Sequence, residues 1–310
     1  MQELRIGQIG WGTVGASFGR LVAEGRLPAR LTRVAVRDAG RPRAQAFPES
    51  ATLVAAEDLV TDTDVDVVVE LAGGTDAPLR WARAALEAGR PYVTANTALL
   101  ATCGVELARV ARACNGALLA SASVGAGTPM IETLAHFAAT VEIRRLRGVL
   151  NATTTYILSR MAEGRTYGDA LREAQEAGFA EANPSFDVDG RDAAQKLAIL
   201  ASVAWGRWRS ESEVERRGIR GIAVDGARAA TAVRLVAEAT PEQLRVAPIE
   251  IDAASAMGAT RGVDNVLEIE LADGSTFRIA GPGAGGDVTA RAVYAAVARR
   301  AACERPGLFG

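Results

Sequence analysis

The spacing of three glycines near the start of the chain constrains its fold more than any other feature. Gly10, Gly12 and Gly15 follow a β-prone run, Arg5–Ile9, and open a helix-length segment, Val14–Ala23. In this order the first glycine permits a tight turn, the second lets a pyrophosphate approach the backbone, and the third lets helix and strand pack closely. Free N–H groups and the helix dipole favour phosphate at a helix start. The predicted phosphate-binding residues are Gly10, Gly12, Thr13, Val14 and Gly15.

Predicted strands and helices alternate through the first 127 residues. This order indicates a parallel sheet with helices on both faces. The sequence therefore predicts an α/β protein whose residues 1–127 form a Rossmann-type doubly wound parallel sheet. The β-prone runs are Arg5–Ile9, Leu31–Val36, Val65–Leu71, Tyr92–Thr94 and Ala117–Ala120.

The pattern changes after residue 127. Long helical stretches, Arg165–Gly178 and Arg191–Trp205, are followed by four β-prone runs between residues 233 and 279. Asp273-Gly274 between the last two runs is a strong hairpin signal. We expect a second domain of α+β type.

The composition favours small-molecule ligands over nucleic acid or membranes. Lysine and arginine total 35 and aspartate and glutamate total 37, so the net charge is −2 and no basic surface for nucleic acid is expected. No apolar run approaches the roughly 18 residues that span a bilayer, and we see no signal peptide. The cysteines, Cys103, Cys114 and Cys303, leave an odd thiol, which suits a reducing compartment. We expect a cytoplasmic protein.

The residues after the second predicted strand bear on the choice between NADP and NAD. Enzymes that use NAD commonly place an acid there for the ribose 2′-OH, whereas this chain has Arg37 followed by Asp38. Arg37 is suited to a 2′-phosphate, and Arg41 and Arg43 follow closely. We predict NADP as the favoured cofactor, while Asp38 keeps NAD open.

Two more loops, Glu70–Thr75 and Thr94–Thr97, follow predicted strands. Ligands of open α/β sheets lie at the carboxyl ends of strands, so we expect both loops to line the nicotinamide. The residues predicted to do so are Gly73, Thr94, Asn96 and Thr97.

Lys196 is the only lysine in the chain, and Asp192 lies four residues before it on a predicted helix. The spacing also suits an ordinary surface ion pair. Arginine could fill a surface role, however, whereas a proton donor needs an amine whose pKa can fall towards neutrality. We therefore interpret Lys196 as functional. The single histidine, His136, lies in an apolar helical stretch and is interpreted as structural.

The chain resembles homoserine dehydrogenases from the glycine loop to its carboxyl end. The shared motifs are ELAGG at Glu70, VTAN at Val93, ASVGAGTP at Ala122, GVLNATTTYIL at Gly148, the run from Glu181 to Lys196, and GPGAGGDVTA at Gly281. The resemblance implies a homodimer that interconverts L-aspartate 4-semialdehyde and L-homoserine with NAD(P)H, in threonine and methionine biosynthesis. It also implies that residues 286–310 complete the Rossmann domain. Residues 128–285 would form the substrate-binding, catalytic and dimerisation domain, in a short form without a regulatory C-terminal domain.

The same resemblance assigns roles to individual residues. It implies that Lys196 and Asp192 are the catalytic pair, and that a buried Glu181 holds the substrate ammonium. A developing alkoxide would suit this pair, because Lys196 can stabilise and protonate it. The other implied residues are Asp187, Thr153 and Phe179 for the substrate, Gly285 for the cofactor, and Val124, Ala126 and Thr128, whose carbonyls hold a monovalent cation such as Na⁺.

Several positions depart from the family pattern. Thr97 replaces a lysine, Asn183 an acid, Phe179 a tyrosine, Ala152 a glycine, and Ser121 a glutamate that helps to hold the cation. Cation binding is therefore open. Two alternatives to the family activity also remain: a related enzyme that acts on another small aldehyde or hydroxy acid, and an inactive NADP-binding sensor protein.

Overall fold

The computed structural model describes residues 3–224 and 230–302. This part of the chain divides into two compact units, the first drawn from Met1–Gly127 and Gly285–Gly310 and the second from Thr128–Ala284. Cys303, together with the end of the returning segment that we expected to reach residue 310, lies outside the described residues. Cys103 and Cys114 are free thiols. No helix in the described ranges is both long and apolar enough to cross a membrane.

The first unit is built on a six-stranded sheet in which every pairing is parallel. Its order is β3-β2-β1-β4-β5-β6, with strands β1 Leu4–Ile9, β2 Ala29–Ala35, β3 Thr52–Leu53, β4 Val67–Glu70, β5 Tyr92–Thr94 and β6 Leu118–Leu119. The connecting helices are α1 Thr13–Ala23, α2 Ala56–Leu59, α3 Asp76–Glu87 and α4 Thr97–Ala113, and a 3-10 turn, Ser121–Ser123, follows β6. The predicted doubly wound sheet is confirmed. Only β3 was not predicted, because it has two residues, both exposed.

The second unit is an α+β arrangement around a mixed six-stranded sheet of order β12-β11-β7-β9-β10-β8. Its strands are β7 Ile143–Val149, β8 Val214–Arg216, β9 Thr231–Ala239, β10 Leu244–Asp252, β11 Asp264–Leu271 and β12 Thr276–Pro282. Its helices are α5 Met130–Thr140, α6 Ala152–Ala162, α7 Tyr167–Glu176, α8 Ser185–Val188, α9 Arg191–Trp205 and α10 Ala256–Ala259, and a 3-10 turn, Glu211–Glu213, precedes β8. The predicted hairpin joins β11 and β12, and Gly274 in its turn has a φ of 85°.

Strand β7 lies inside this sheet although its sequence did not predict it. Three of its seven residues are arginines, which obscures the alternation of apolar and polar side chains. In the structure Arg145 pairs with Glu270 on β11 and Arg147 pairs with Glu238 on β9. Carboxylates on both neighbouring strands therefore balance the charge of this strand.

Helix α11, Gly286–Ala302, returns the chain to the first unit. Its Val293 and Val297 are fully buried in a core cluster that also contains Phe18 and Val22 of α1. At the start of α11, Asp287 accepts hydrogen bonds from Ser17 Oγ at 2.5 Å and Arg20 Nη2 at 2.6 Å. The first unit is thus completed by residues far apart in sequence.

Candidate active site

Asp192 and Lys196 form a largely enclosed ion pair on α9. The helix starts after Gly190, whose φ of 77° suits a residue without a side chain, and Asp192 lies in its first turn. Lys196 Nζ donates to Asp192 Oδ2 at 2.8 Å and to Leu150 O at 2.9 Å. The lysine side chain is 12% exposed and the aspartate side chain 15%. This burial rules out the interpretation of an ordinary surface pair.

Asn151 joins this pair to a second carboxylate. Its Nδ2 donates to Asp192 Oδ2 at 2.8 Å and to Asp187 Oδ1 at 2.6 Å. The orientation of the side chain is set because Asn151 caps α6, with Oδ1 accepting from Thr154 N at 2.8 Å. We did not predict Asn151 as a site residue, although its position directly before a helical run was the signal for a capping residue.

Thr153 connects Asp187 to the loop that follows α7. Its hydroxyl lies 2.7 Å from Phe179 O and 3.1 Å from Asp187 Oδ2. Burial is the main reason that the pKa of Asp187 is raised; the nearby Asp192 charge acts in the same direction, against the hydrogen bond from Asn151. The structure therefore brings together five of the predicted residues: Lys196, Asp192, Asp187, Thr153 and Phe179.

The raised pKa of Asp187 predicts a stability effect with a definite sign. Because the pKa of Asp187 is higher in the folded protein than in the unfolded chain, the protein loses stability as the pH rises from the unfolded pKa through the folded pKa. The loss persists at neutral pH. We expect Asp187→Asn to raise the Tm at pH 7. This gain in Tm should shrink as the pH is lowered towards the ordinary aspartate pKa of about 3.9. Thermal unfolding across this pH range measures the effect.

Asp169→Asn is the control of opposite sign, because a hydrogen bond from Thr166 and a second from Arg172 lower the pKa of Asp169. This variant should have a lower Tm at pH 7 than the wild type. A Tm for Asp187→Asn equal to or below that of the wild type at pH 7 would contradict the assignment of an unfavourable buried charge.

Glu181 is not buried, which corrects the expectation from the sequence. It lies in the exposed loop between α7 and α8, and Asn183 is exposed beside it. Gln175 Nε2 donates to the backbone oxygens of Glu181 at 3.0 Å and Ala182 at 3.4 Å. These two hydrogen bonds hold the main chain of the loop. Glu181 is thus exposed, whereas Asp187, Asp192 and Lys196 are partly buried.

The glycine loop has the geometry that a bound pyrophosphate needs. Gly10 has a φ of 98°, and a Cβ there would lie 2.6 Å from Leu71 O. A Cβ on Gly15 would lie 2.3 Å from Gly10 O, which shows how closely α1 packs on the loop. Gly12 caps α1 and has no atom within 4 Å of an added Cβ, so the backbone is open there. Thr13 and Val14 form the first residues of α1.

The loop after β2 presents Arg37 at the surface. Arg37 and Asp38 are both exposed, and Asp38 Oδ1 accepts from Gly40 N at 2.9 Å. Arg43 donates to Arg41 O at 2.7 Å and to Asp38 O, so this arginine holds the loop together. The exposed guanidinium of Arg37 is therefore better placed than that of Arg43 to bind an incoming phosphate.

The remaining cofactor residues proposed from the sequence also lie in the first unit. Gly73 follows β4, Thr94 ends β5, Asn96 caps α4 and Thr97 begins it. Because β4 and β5 are parallel neighbours, their carboxyl ends share one edge of the sheet. Thr97 Oγ1 donates to Ser123 O at 2.6 Å, so a hydroxyl bonded to the backbone stands where the family has lysine.

Gly285 lies immediately before α11. It has a φ of 125°, which favours glycine, and its carbonyl accepts from Thr289 N at 2.9 Å. His136 is exposed on α5, which agrees with a role outside the chemistry.

Ser121 stands where the family has a glutamate, beside the carbonyls proposed to hold a monovalent cation. Val124 and Ala126 belong to a buried turn, but Ser121 beside them is neutral and accepts from Arg299 Nη2 at 2.7 Å. A hydrogen bond from a guanidinium thus occupies the Ser121 hydroxyl. The carbonyl of Thr128 accepts from Met130 N at 2.7 Å. We assign no catalytic step to a cation.

Comparison with protein families matches both parts of the chain. Residues 10–120 match the family "Homoserine dehydrogenase, NAD binding domain", and residues 129–297 match "Homoserine dehydrogenase". The two matches together span most of the sequence and include the glycine loop and the Asp192–Lys196 pair.

Relatives and solved structures agree with this assignment. The homoserine dehydrogenase of Synechocystis sp. is 36% identical over 95% of this chain and 72% of its own length, and that of Helicobacter pylori is 35% identical over 94% and 72%. A homoserine dehydrogenase structure from Thiobacillus denitrificans has a TM-score of 0.91 at 30% identity, covering 99% of this chain and 77% of that one. A hyperthermophilic archaeal homoserine dehydrogenase in complex with NADPH has a TM-score of 0.86 at 28% identity, covering 99% and 100%. The chain belongs to the homoserine dehydrogenase family.

Proposed function

We propose that this chain catalyses the reversible reduction of L-aspartate 4-semialdehyde to L-homoserine with NAD(P)H, a step in threonine and methionine biosynthesis. Family membership supports the reaction. The observation that carries it in the structure is the partly buried Lys196 ammonium, held by Asp192 and Leu150 within a network of polar side chains. The first unit would bind the dinucleotide and the second the substrate.

Lys196 is the proposed acid in the reductive direction. An ammonium has three N–H groups, and the described contacts to Asp192 and Leu150 O use two of them, so one N–H remains for a substrate oxygen. Bound NADPH would supply a hydride to the carbonyl carbon of the substrate, and negative charge would then develop on the carbonyl oxygen. Lys196 stabilises the negative charge on that oxygen and transfers a proton to it, while Asp192 holds the ammonium in position.

The ammonium group of the substrate requires a negatively charged partner. Glu181 is exposed and is the proposed carboxylate for the substrate ammonium, so a charge-assisted hydrogen bond would form on substrate entry. Asp187 and Thr153 are held by their mutual hydrogen bond, and Phe179 accepts from the same threonine through its carbonyl. We assign these three to the substrate pocket.

NADPH is the proposed preferred cofactor, and Arg37 is the residue that tests this. We expect Arg37→Ala to weaken NADPH binding by about tenfold and to leave NADH binding nearly unchanged, because only NADPH carries the 2′-phosphate. Fluorescence titration of both nucleotides measures the change. Arg26→Ala, which removes another exposed arginine of the same unit, is the matched control and should affect neither. Equal weakening of both nucleotides would contradict the assignment of Arg37.

We also propose a homodimer in the cytoplasm. The support is the family resemblance together with the free thiols of Cys103 and Cys114, which suit a reducing compartment. Light scattering on the purified protein measures the oligomeric state directly.

The reaction is tested by following NADPH consumption with L-aspartate 4-semialdehyde and with a panel of other small aldehydes. Rapid turnover of the semialdehyde supports the proposal and shows that Thr97 is tolerated in place of lysine. Preference for another aldehyde would identify a related enzyme of changed substrate. Tight NADPH binding without turnover of any aldehyde would identify a sensor.

A further inference from the structure

Glu70 is a fully buried carboxylate at the end of β4. Its Oε1 accepts from Ala72 N at 2.8 Å and from Gly73 N at 2.9 Å. Its Oε2 accepts from Thr94 Oγ1 at 2.7 Å and from Asn96 Nδ2 at 3.4 Å. Four neutral donors therefore surround one acidic side chain that the proposed chemistry does not use.

The donors explain why a carboxylate occupies this position. Burying an acidic group is costly unless its oxygens are hydrogen-bonded, and here each oxygen receives two contacts. The two backbone N–H groups and the Asn96 NH₂ group can only donate, and the Asn96 oxygen is already occupied by Leu99 N, so both oxygens of residue 70 must accept. A glutamine in the same place would direct its own NH₂ group at one of these donor pairs.

The contacts of Glu70 link two separate loops. On one side lies the turn after β4, in which Gly73 and Gly74 have φ values of 73° and 83°. On the other side lies Asn96, whose Nδ2 also donates to Gly74 O at 2.7 Å and whose Oδ1 caps α4 by accepting from Leu99 N at 3.0 Å. The turn and the start of α4 are thus fixed to each other through one carboxylate.

We propose that Glu70 is a positioning residue for the nicotinamide half of the cofactor. It touches no reacting atom and acts through Gly73, Thr94 and Asn96, whose relative placement it sets. The phosphates and the adenosine ribose are assigned to the glycine loop and Arg37, and the four hydrogen bonds described for the Glu70 carboxylate go to other residues. The inference rests on the proposed binding of NAD(P) by the first unit.

The test compares two ligands in Glu70→Gln. NADPH contains the nicotinamide, whereas 2′-phospho-ADP-ribose lacks it but keeps the 2′-phosphate and the pyrophosphate. We expect the substitution to weaken NADPH by about tenfold, because the NH₂ group of the glutamine leaves one buried donor pair without an acceptor, and to leave the fragment within about twofold of wild type. Loss of folding alone would weaken both ligands together.

Matched variants separate positioning from general damage. Glu57→Gln removes the charge of an exposed carboxylate in the same unit, which accepts a hydrogen bond from Trp81 Nε1 at 2.9 Å. This control should change neither the affinity for NADPH nor that for the fragment. Thr94→Val removes one donor to Glu70 and also the hydroxyl that accepts from Asn96 N at 3.0 Å, so it loosens the same junction from the other side. It should weaken NADPH only, which keeps the test valid if Glu70→Gln folds poorly.

Equal weakening of NADPH and the fragment by Glu70→Gln and Thr94→Val, or unchanged NADPH affinity, would overturn the proposal. These measurements need no turnover. An enzyme that fails to reduce L-aspartate 4-semialdehyde but shows the selective loss for NADPH would contradict the proposed reaction while supporting the role of Glu70.

Discussion

Lys196→Ala should reduce turnover by about 10²–10⁴, the range expected for loss of one acid or base group, while NADPH affinity stays nearly unchanged. In the proposed mechanism the lysine supplies the charge and the proton for the substrate oxygen. It lies in the second unit, whereas every proposed cofactor residue lies in the first. Steady-state kinetics with L-aspartate 4-semialdehyde and a separate NADPH titration measure the two effects.

Two further variants sharpen this prediction. Lys196→Arg keeps a positive charge but carries a guanidinium that does not release its proton, so we expect it to stay slow. Arg191→Ala alters the exposed face of the same helix, where Arg191 pairs with Glu211 at 3.0 Å, and should retain turnover. Wild-type turnover by Lys196→Ala, with an unchanged fold by circular dichroism, would remove Lys196 from the mechanism.

Gly10→Ala is expected to remove NADPH binding together with much of the stability of the first unit. An alanine would need a φ of 98°, and its Cβ would lie 2.6 Å from the Leu71 backbone oxygen. The strained backbone alone costs on the order of 1–3 kcal/mol, and the clash with main-chain atoms adds to it. Thermal unfolding and NADPH titration of the purified variant measure both losses.

Gly12→Ala separates cofactor binding from folding. Gly12 has a φ of −82° and nothing within 4 Å of an added Cβ, so the variant should unfold at the wild-type temperature. Its methyl group would occupy the space where the pyrophosphate is expected to approach, and NADPH affinity should fall. If NADPH bound to Gly12→Ala as tightly as to wild type, the proposed position of the pyrophosphate would be wrong.

Local sequence signals predicted much of the first unit. The glycine spacing and the alternation of strands and helices identified its parallel sheet, because each signal depends on residues close together in the chain. Strand β7 escaped prediction because the partners that balance its arginines are Glu238 and Glu270, about 90 to 125 residues away. Long-range ion pairs leave no local pattern.

The same distinction applies to the site. Lys196 could be selected from the sequence because it is the only lysine and has an acid four residues before it. The bridging role of Asn151 could not be predicted, since it depends on how the start of α6 approaches α8 and α9. The exposure of Glu181 and the four donors around Glu70 likewise depend on tertiary contacts.

The placement of α11 determines the order in which the chain can fold during synthesis. The second unit is one continuous segment, Thr128–Ala284, so all of its residues are available before α11 is translated. The first unit must wait for Val293 and Val297 to cover Phe18 and Val22. Domains ordinarily fold from the N-terminus onwards as the ribosome releases them. In this protein the N-terminal unit is the one completed last, and a product terminated before Gly286 would retain Lys196, the proposed catalytic residue, without a finished nucleotide-binding core.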